Sequence, residues 1–126
     1  MRTFLSGLGV AIALMVAMFQ VHAQKETERY IPLGQSPGVS QKLSRIGEIA
    51  EVDESKRTVT IADPAGRWTV GITDQTRIWL DRTKLKQPNL TGSFTDLHKG
   101  RRVEVKYQDP ERREVADWVK VEVARP

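Results

Sequence analysis

Few residues in this chain could take part in catalysis. His98 is the only histidine after residue 23, and the sequence contains no cysteine. A thiol nucleophile, a disulfide framework and cysteine metal ligands are therefore excluded. A lone histidine forms a Ser-His-Asp relay only where a serine and a carboxylate converge on it, and the neighbours of His98 include Lys99, Arg101 and Arg102. We interpret His98 as a solvated loop residue and predict no catalytic residue, no enzyme activity and no cofactor.

The acidic residues are most concentrated at Asp53-Glu54 and at Asp109-Pro110-Glu111. Calcium requires roughly six to eight closely placed oxygen ligands, and basic residues closely follow each acidic pair. We interpret both as turns and predict no metal site.

The net charge of +4 is spread among interleaved acidic and basic residues, whereas nucleic-acid binding favours a basic stripe. Nucleic acid is therefore disfavoured as a partner.

The three tryptophans differ in the face of the strand that they occupy, because successive strand residues point to opposite sides. Trp68 shares the parity of the aliphatic residues that follow it, which predicts a core position. Trp79 and Trp118 have the opposite parity to their aliphatic neighbours, so both are predicted to point outward. With Arg77 and Lys120 beside them, they form a candidate contact patch on the outside of the fold, since exposed apolar patches mark contacts.

Two occupants of this patch are open from the sequence. The first is the chain's own segment Tyr30-Ile31-Pro32-Leu33, in which Tyr30, Ile31 and Leu33 form an apolar cluster that could cover the rings. The second is an external partner: an envelope protein, a second copy of the chain or a glycan.

The first 23 residues resemble a signal peptide rather than part of the fold. Arg2 precedes an apolar run from Phe4 to Phe19, and Val21 and Ala23 supply the small residues before a predicted cleavage between Ala23 and Gln24. An uncleaved anchor is the alternative. The sequence therefore predicts a signal peptide over 1–23, an extended arm over 24–43 and a domain over 44–126. It also predicts a periplasmic or secreted location, with no membrane span after cleavage.

The domain is predicted to be all-β. Short alternating segments are separated by Gly, Pro and Asp turns, and Gly47 is a candidate bulge in the first strand. If residues 67–81 form one bent strand, three strands, a short helical turn capped by Ser93 or Thr95, and two further strands follow one another as in an OB-fold. A hairpin at Asp74-Gln75 would instead give a six-stranded meander barrel, and a sandwich is a third arrangement. The fold class is thus a small OB-like barrel of five to six strands.

Several short runs resemble a small bacterial envelope domain family of unknown function. They are Gly47-Glu48-Ile49 with Val52-Asp53, Thr58 to Ile61, Thr73 with Thr76-Arg77-Ile78, Asp96-Leu97 with Gly100, Val103 to Tyr107, and Ala116 with Val119 and Val121. The resemblance covers about Ser44 to Val123. It implies a periplasmic or surface setting and an OB-like barrel, and it implies no catalytic residue.

Two functional hypotheses follow. The main one is a non-enzymatic binding or scaffolding module of the cell envelope that uses the outer barrel face and the arm, with its partner unknown. The alternative is a small-ligand or metal-responsive binding domain that uses the barrel mouth. An enzyme is the third.

Overall fold

The computed structural model describes residues 27–125. The predicted signal peptide, its cleavage point at Ala23–Gln24 and the first residues of the arm lie outside this range. Strands are the main regular secondary structure of the described chain. Its strands are β1 (Ser44–Asp53), β2 (Thr58–Asp63), β3 (Gly66–Gly71), β4 (Arg77–Asp81), β5 (Leu90–Thr91), β6 (Arg102–Tyr107) and β7 (Ala116–Glu122). Short 3-10 turns occupy Glu28–Tyr30, Thr83–Leu85 and Phe94–Asp96.

The strands form one sheet in the order β3-β2-β1-β6-β7-β4-β5. β3 pairs antiparallel with β2, whereas β4 pairs parallel with β7, and a parallel bridge from Gly71 to Val115 links the two pairings. Residues 66–81 therefore act as one bent strand that closes the barrel between β2 and β7. This is the OB order, and it replaces the meander alternative, which required β3 and β4 to pair as a hairpin.

The bend between β3 and β4 is held by threonines. The Thr73 N–H donates to Thr76 Oγ1 at 3.0 Å, and the Thr76 hydroxyl donates to the Ala116 carbonyl at 2.7 Å. These bonds fix residues 73–76 to the start of β7 instead of closing a β-hairpin turn. The helical turn predicted after Ser93 is confirmed as Phe94–Asp96, with a capping box formed by Ser93 and Asp96.

A β-bulge in β1 sets the two faces of the barrel wall. The register between β1 and β2 shifts between Ile49 and Glu51, so Ala50 is the extra residue and the predicted bulge at Gly47 was placed too early. Because of the shift, Ile49 and Val52 both face the interior although they are three residues apart. The core also contains Val59, Ile61, Val70, Ile72, Ile78, Phe94, Leu97, Val103, Val105, Tyr107, Val119 and Val121.

Candidate functional site: the covered outer face

The outward side chains of β4, β6 and β7 form one continuous surface, here named the tryptophan face. Its members are Trp79, Asp81, Glu104, Trp118 and Lys120. Strand register brings them together, because Trp79 and Glu104 both pair with Lys120 across neighbouring strands. The rings of Trp79 and Trp118 lie 5.7 Å apart, centroid to centroid, at 42°. Trp79 and Trp118, which the sequence analysis placed in the candidate patch, are therefore in ring contact on two adjacent strands.

The arm covers this face. Trp79 and Trp118 are 5% and 2% exposed, and Leu33 of the arm is also buried. The Leu33 N–H donates to Asp81 Oδ2 at 2.8 Å, and the turn Glu28–Tyr30 contacts β4. Tyr30 is 60% exposed, so Leu33 supplies apolar cover that the Tyr30 ring does not. Arg77 lies at the exposed start of β4.

Lys120 is the positive centre of the tryptophan face and is 1% exposed. Among residues 27–125, every hydrogen-bond acceptor of its ammonium group belongs to the arm. These acceptors are Ser36 Oγ at 2.9 Å, the Ile31 carbonyl at 3.1 Å and Glu28 Oε1 at 3.3 Å. The ammonium also lies 4.8 Å from the centre of the Trp118 ring, a cation–π distance.

Glu104 is the negative centre and is fully buried. Its Oε1 accepts the Gly34 N–H at 2.9 Å, and its Oε2 accepts the hydroxyls of Ser40 at 2.6 Å and Ser44 at 2.7 Å. Two of these three donors lie on the arm, and the third is the first residue of β1. A buried carboxylate needs such donors because burial without them is strongly unfavourable.

Asp81 is the second carboxylate that holds the arm. Burial acts to raise its pKa, but hydrogen bonds from the Thr83 side chain and from the backbone of Leu33 and Thr83 act in the opposite direction, as does the charge of Lys120. The net effect is a pKa below its ordinary value of 3.8. The ionised form of Asp81 therefore stabilises the docked arm.

The arm itself is more folded than an extended segment. Backbone bonds join Ser40 to Ser36, and Lys42 and Leu43 both donate to the Val39 carbonyl. These consecutive turns place serines 36 and 40 against Lys120 and Glu104 respectively. Sequence reasoning included Lys120 in the patch but missed Glu104, Glu28 and both serines. The available signal was the spacing of four between serines 36, 40 and 44, next to a predicted apolar lid.

A second polar cluster ties the first three strands together. Arg45 on β1 donates to Asp63 Oδ2 at 2.6 Å, and its guanidinium lies 4.4 Å from the centre of the Trp68 ring. The Trp68 indole N–H donates to the same Asp63 oxygen at 3.1 Å. The hydrogen bond from Arg45 is the main reason that the pKa of Asp63 lies below its usual value. Every member has a partner, so this cluster is structural.

An open groove runs beside β1 and the segment that follows the turn Phe94–Asp96. Its charged and titratable lining residues are Glu48, Glu51, Glu54, Arg67, His98 and Lys99. The three glutamates form no ion pair with another described residue, and the same is true of Arg67 and Lys99. Between residues 27 and 125, no three His, Asp or Glu side chains are arranged to hold a metal ion.

No protein-family model and no curated protein matches the chain. Two solved structures are similar. One is a tryptophan-to-alanine variant of CusF from Escherichia coli with Cu(II), at 18% identity and a TM-score of 0.44, covering 63% of this chain and 89% of that one. The other is CusF with Ag(I), at 16% identity and a TM-score of 0.41, covering 62% and 93%. Neither likeness is close enough to support a conclusion about the function of this chain.

No helix between residues 27 and 125 is long and apolar enough to cross a membrane.

Proposed function

We propose that this protein is an exported, non-enzymatic binding or scaffolding module of the cell envelope, and that its tryptophan face is a polypeptide-binding site. In the structure the chain's own arm occupies that site. The proposed boundaries are a signal peptide over 1–23, the arm over 24–43 and the barrel over 44–126. Mass spectrometry of the mature protein tests the first boundary, because cleavage there leaves Gln24 as the first residue.

One observation carries the proposal: the two most buried charges of the face, on Glu104 and Lys120, take most of their hydrogen bonds from the arm. A permanent core gains little from buried charges, since replacing them by apolar residues is often neutral or stabilising. Separable interfaces, in contrast, combine buried aromatic anchors with satisfied polar groups. Trp79 and Trp118 supply the anchors, and Asp81 and Glu104 bind successive backbone amides of the arm.

The contacts at the site also indicate which sequence a bound segment should have. It accepts the N–H groups of residues 33 and 34, buries a leucine at 33, and places a hydroxyl at 36 beside a buried ammonium. Two main-chain contacts are independent of side chain, whereas the leucine and serine contacts are not. We therefore expect a partner segment to present an apolar residue followed three positions later by a serine or threonine.

A labelled peptide with the sequence of residues 27–40, added in trans, tests this function. Wild-type protein should bind it weakly, because the tethered arm competes at an effective concentration on the order of millimolar. The full-length Leu33→Ala variant should bind it at least about tenfold more tightly, since loss of a buried leucine weakens the arm in cis. Fluorescence anisotropy measures both.

The matched control is the same peptide with alanine at positions 33 and 36, which should not bind. Circular dichroism establishes that the Leu33→Ala protein is folded. A folded variant that shows no saturable binding of the native peptide would prove the proposal wrong.

A small-ligand binding domain is the second candidate, favoured by the groove with unpaired charges of both signs beside His98 and Lys99. A ligand that binds the native state raises the apparent melting temperature. Thermal shifts with zwitterionic small molecules and with Cu(II), Ag(I) and Zn(II) test this candidate and its metal-responsive form. Absence of any shift contradicts it.

A further inference from the structure

We propose that two copies of this chain exchange arms, so that residues 28–40 of one copy cover the tryptophan face of the other. This inference rests on the proposed function, because it treats the face as a polypeptide-binding site and names its partner. The bonds between arm and barrel join residues 48 to 92 positions apart in sequence. None of these bonds depends on the arm and the barrel being in the same chain.

The connection between arm and barrel has the features of a hinge. Gln41 has a φ of +66°, which is a left-handed conformation. For a residue other than glycine, the population of this conformation is lowered by a factor of about five to thirty. Lys42 and Leu43 are exposed. An extended hinge would release the left-handed conformation, and three extended residues span about 10 Å. Short, strained hinges of this kind favour exchange between copies.

Opening the hinge also breaks local bonds. The amides of Lys42 and Leu43 lose the Val39 carbonyl, and the Gln41 N–H loses Ser44 Oγ. The three amides belong to exposed residues, so water can replace the acceptors that they lose. The contacts made by the arm itself are kept in the exchanged form.

A second copy fits this face better than an unrelated segment because the arm matches it at several separate points. Glu28 and Ser36 meet Lys120, the amides of Leu33 and Gly34 meet two carboxylates, and Ser40 meets Glu104. Another copy of the chain carries all of these groups at the same spacing.

Complementary charge reversal tests the exchange. Glu28→Lys and Lys120→Glu each place like charges together within one chain. In a mixed dimer, the native arm of the Lys120→Glu chain meets the native face of the Glu28→Lys chain, and the reversed pair forms on the other side. We expect each variant alone to be monomeric and the mixture to form a heterodimer, measured by native mass spectrometry.

The chain carrying both reversals is the control: its arm and face match again, so it should reach the same monomer–dimer equilibrium as the wild type. Circular dichroism establishes that each single variant folds. Folded variants that stay monomeric when mixed at about 100 μM, well within the range in which weak complexes form, would overturn the exchange.

A second pair of variants keeps the test decisive if Lys120→Glu fails to fold. Gln41→Val makes the left-handed hinge harder to adopt, and Gln41→Gly removes the restriction. If each of the two hinges changes the equilibrium fivefold, the association constant of the dimer should be about twenty-five-fold higher for Gln41→Val than for Gln41→Gly. Equal constants from analytical ultracentrifugation would overturn the exchange.

The two proposals fail in different ways. If the peptide of residues 27–40 binds in trans but the charge-reversal mixture stays monomeric and the two Gln41 variants have equal dimerisation constants, arm exchange is wrong and polypeptide recognition stands. If the peptide also fails to bind, both are wrong.

Discussion

Lys120 and Glu104 are direct neighbours across β6 and β7, yet among the described residues no ion pair joins them and Lys120 pairs with Glu28 instead. Each of these two opposite charges is instead hydrogen-bonded to the arm. If the arm undocked, both groups would face water and could pair at modest strength, as exposed pairs do. Such a pair would lower the free-energy difference between the covered and uncovered states.

At the residue scale, Asp81 predicts a pH dependence of the stability of the folded protein. The pKa of its carboxyl is below its ordinary value in the folded protein, so its stabilisation is complete above about pH 4 and is lost as the pH falls through the folded pKa. Asp81→Asn removes the ionisable carboxyl and therefore this pH-dependent stabilisation. Between about pH 5 and 2 the melting temperature of the wild type should fall more steeply than that of the variant.

Differential scanning calorimetry across this range measures the difference. Asp53 and Asp63 also have lowered pKa values, but they are present in both proteins and therefore cancel in the comparison. Parallel curves would contradict the role assigned to Asp81.

At the element scale, the pairing of β1 with β2 depends on one glycine. A Cβ atom at Gly47 would lie 2.5 Å from the Ala62 carbonyl oxygen and 2.7 Å from Ile61 Cγ2. Backbone cannot move aside as a flexible side chain can, so β1 and β2 could not stay as close together as they are at Gly47. The bulge at Ala50 lies three residues further along β1. Together, the glycine and the bulge determine which β1 residues face the core.

Gly47→Ala should therefore lower the free energy of unfolding by about 1–3 kcal/mol, as overpacked core sites do. Gly71→Ala is the matched control: it also lies at a strand position, but its nearest described neighbour would be the Glu114 carbonyl at 3.4 Å, an ordinary contact. Urea denaturation measures both variants. Equal stabilities would show that the approach at Gly47 is not limiting.

Elements were more predictable from the sequence than the site. Alternation identified the strands and the inward residues because each strand has one face against the core, and the turn residues marked their ends. The choice between OB and meander order was not predictable, because it depends on whether β4 pairs with β3 or β7. The burial of Lys120 and Glu104 was also inaccessible, since alternation places both outside the barrel and says nothing of what covers that outside.

At the scale of the whole molecule, the protein is a closed barrel with a second, thinner layer on one side. Leu33, Trp79 and Trp118 are buried but do not belong to the main core. We therefore expect the arm layer to open without unfolding the barrel, because the apolar contacts within the barrel remain. Local opening of this kind has a lower free energy than global unfolding.

Leu33→Ala should separate the two layers. Hydrogen exchange at the amides of Leu33 and Gly34 should accelerate at least about tenfold, since a buried leucine is worth roughly 2–5 kcal/mol. The amides of Val103 and Val105, in the middle of β6, should keep their protection. Exchange measured by mass spectrometry or NMR tests this, and uniform acceleration of all four amides would contradict a separable arm.

The span between Glu28 and Lys120 also has a consequence in time. Their ion pair bridges 92 positions, which a ribosome covers in about 5 to 18 s at about 5–20 residues per second. The arm is made before any strand of the barrel, yet its ammonium partner belongs to the last strand. A chain that stops before β7 lacks Lys120, so its Glu28 and Ser36 have no such partner on their own barrel. The arm can therefore dock fully on its own barrel only after β7 has been made.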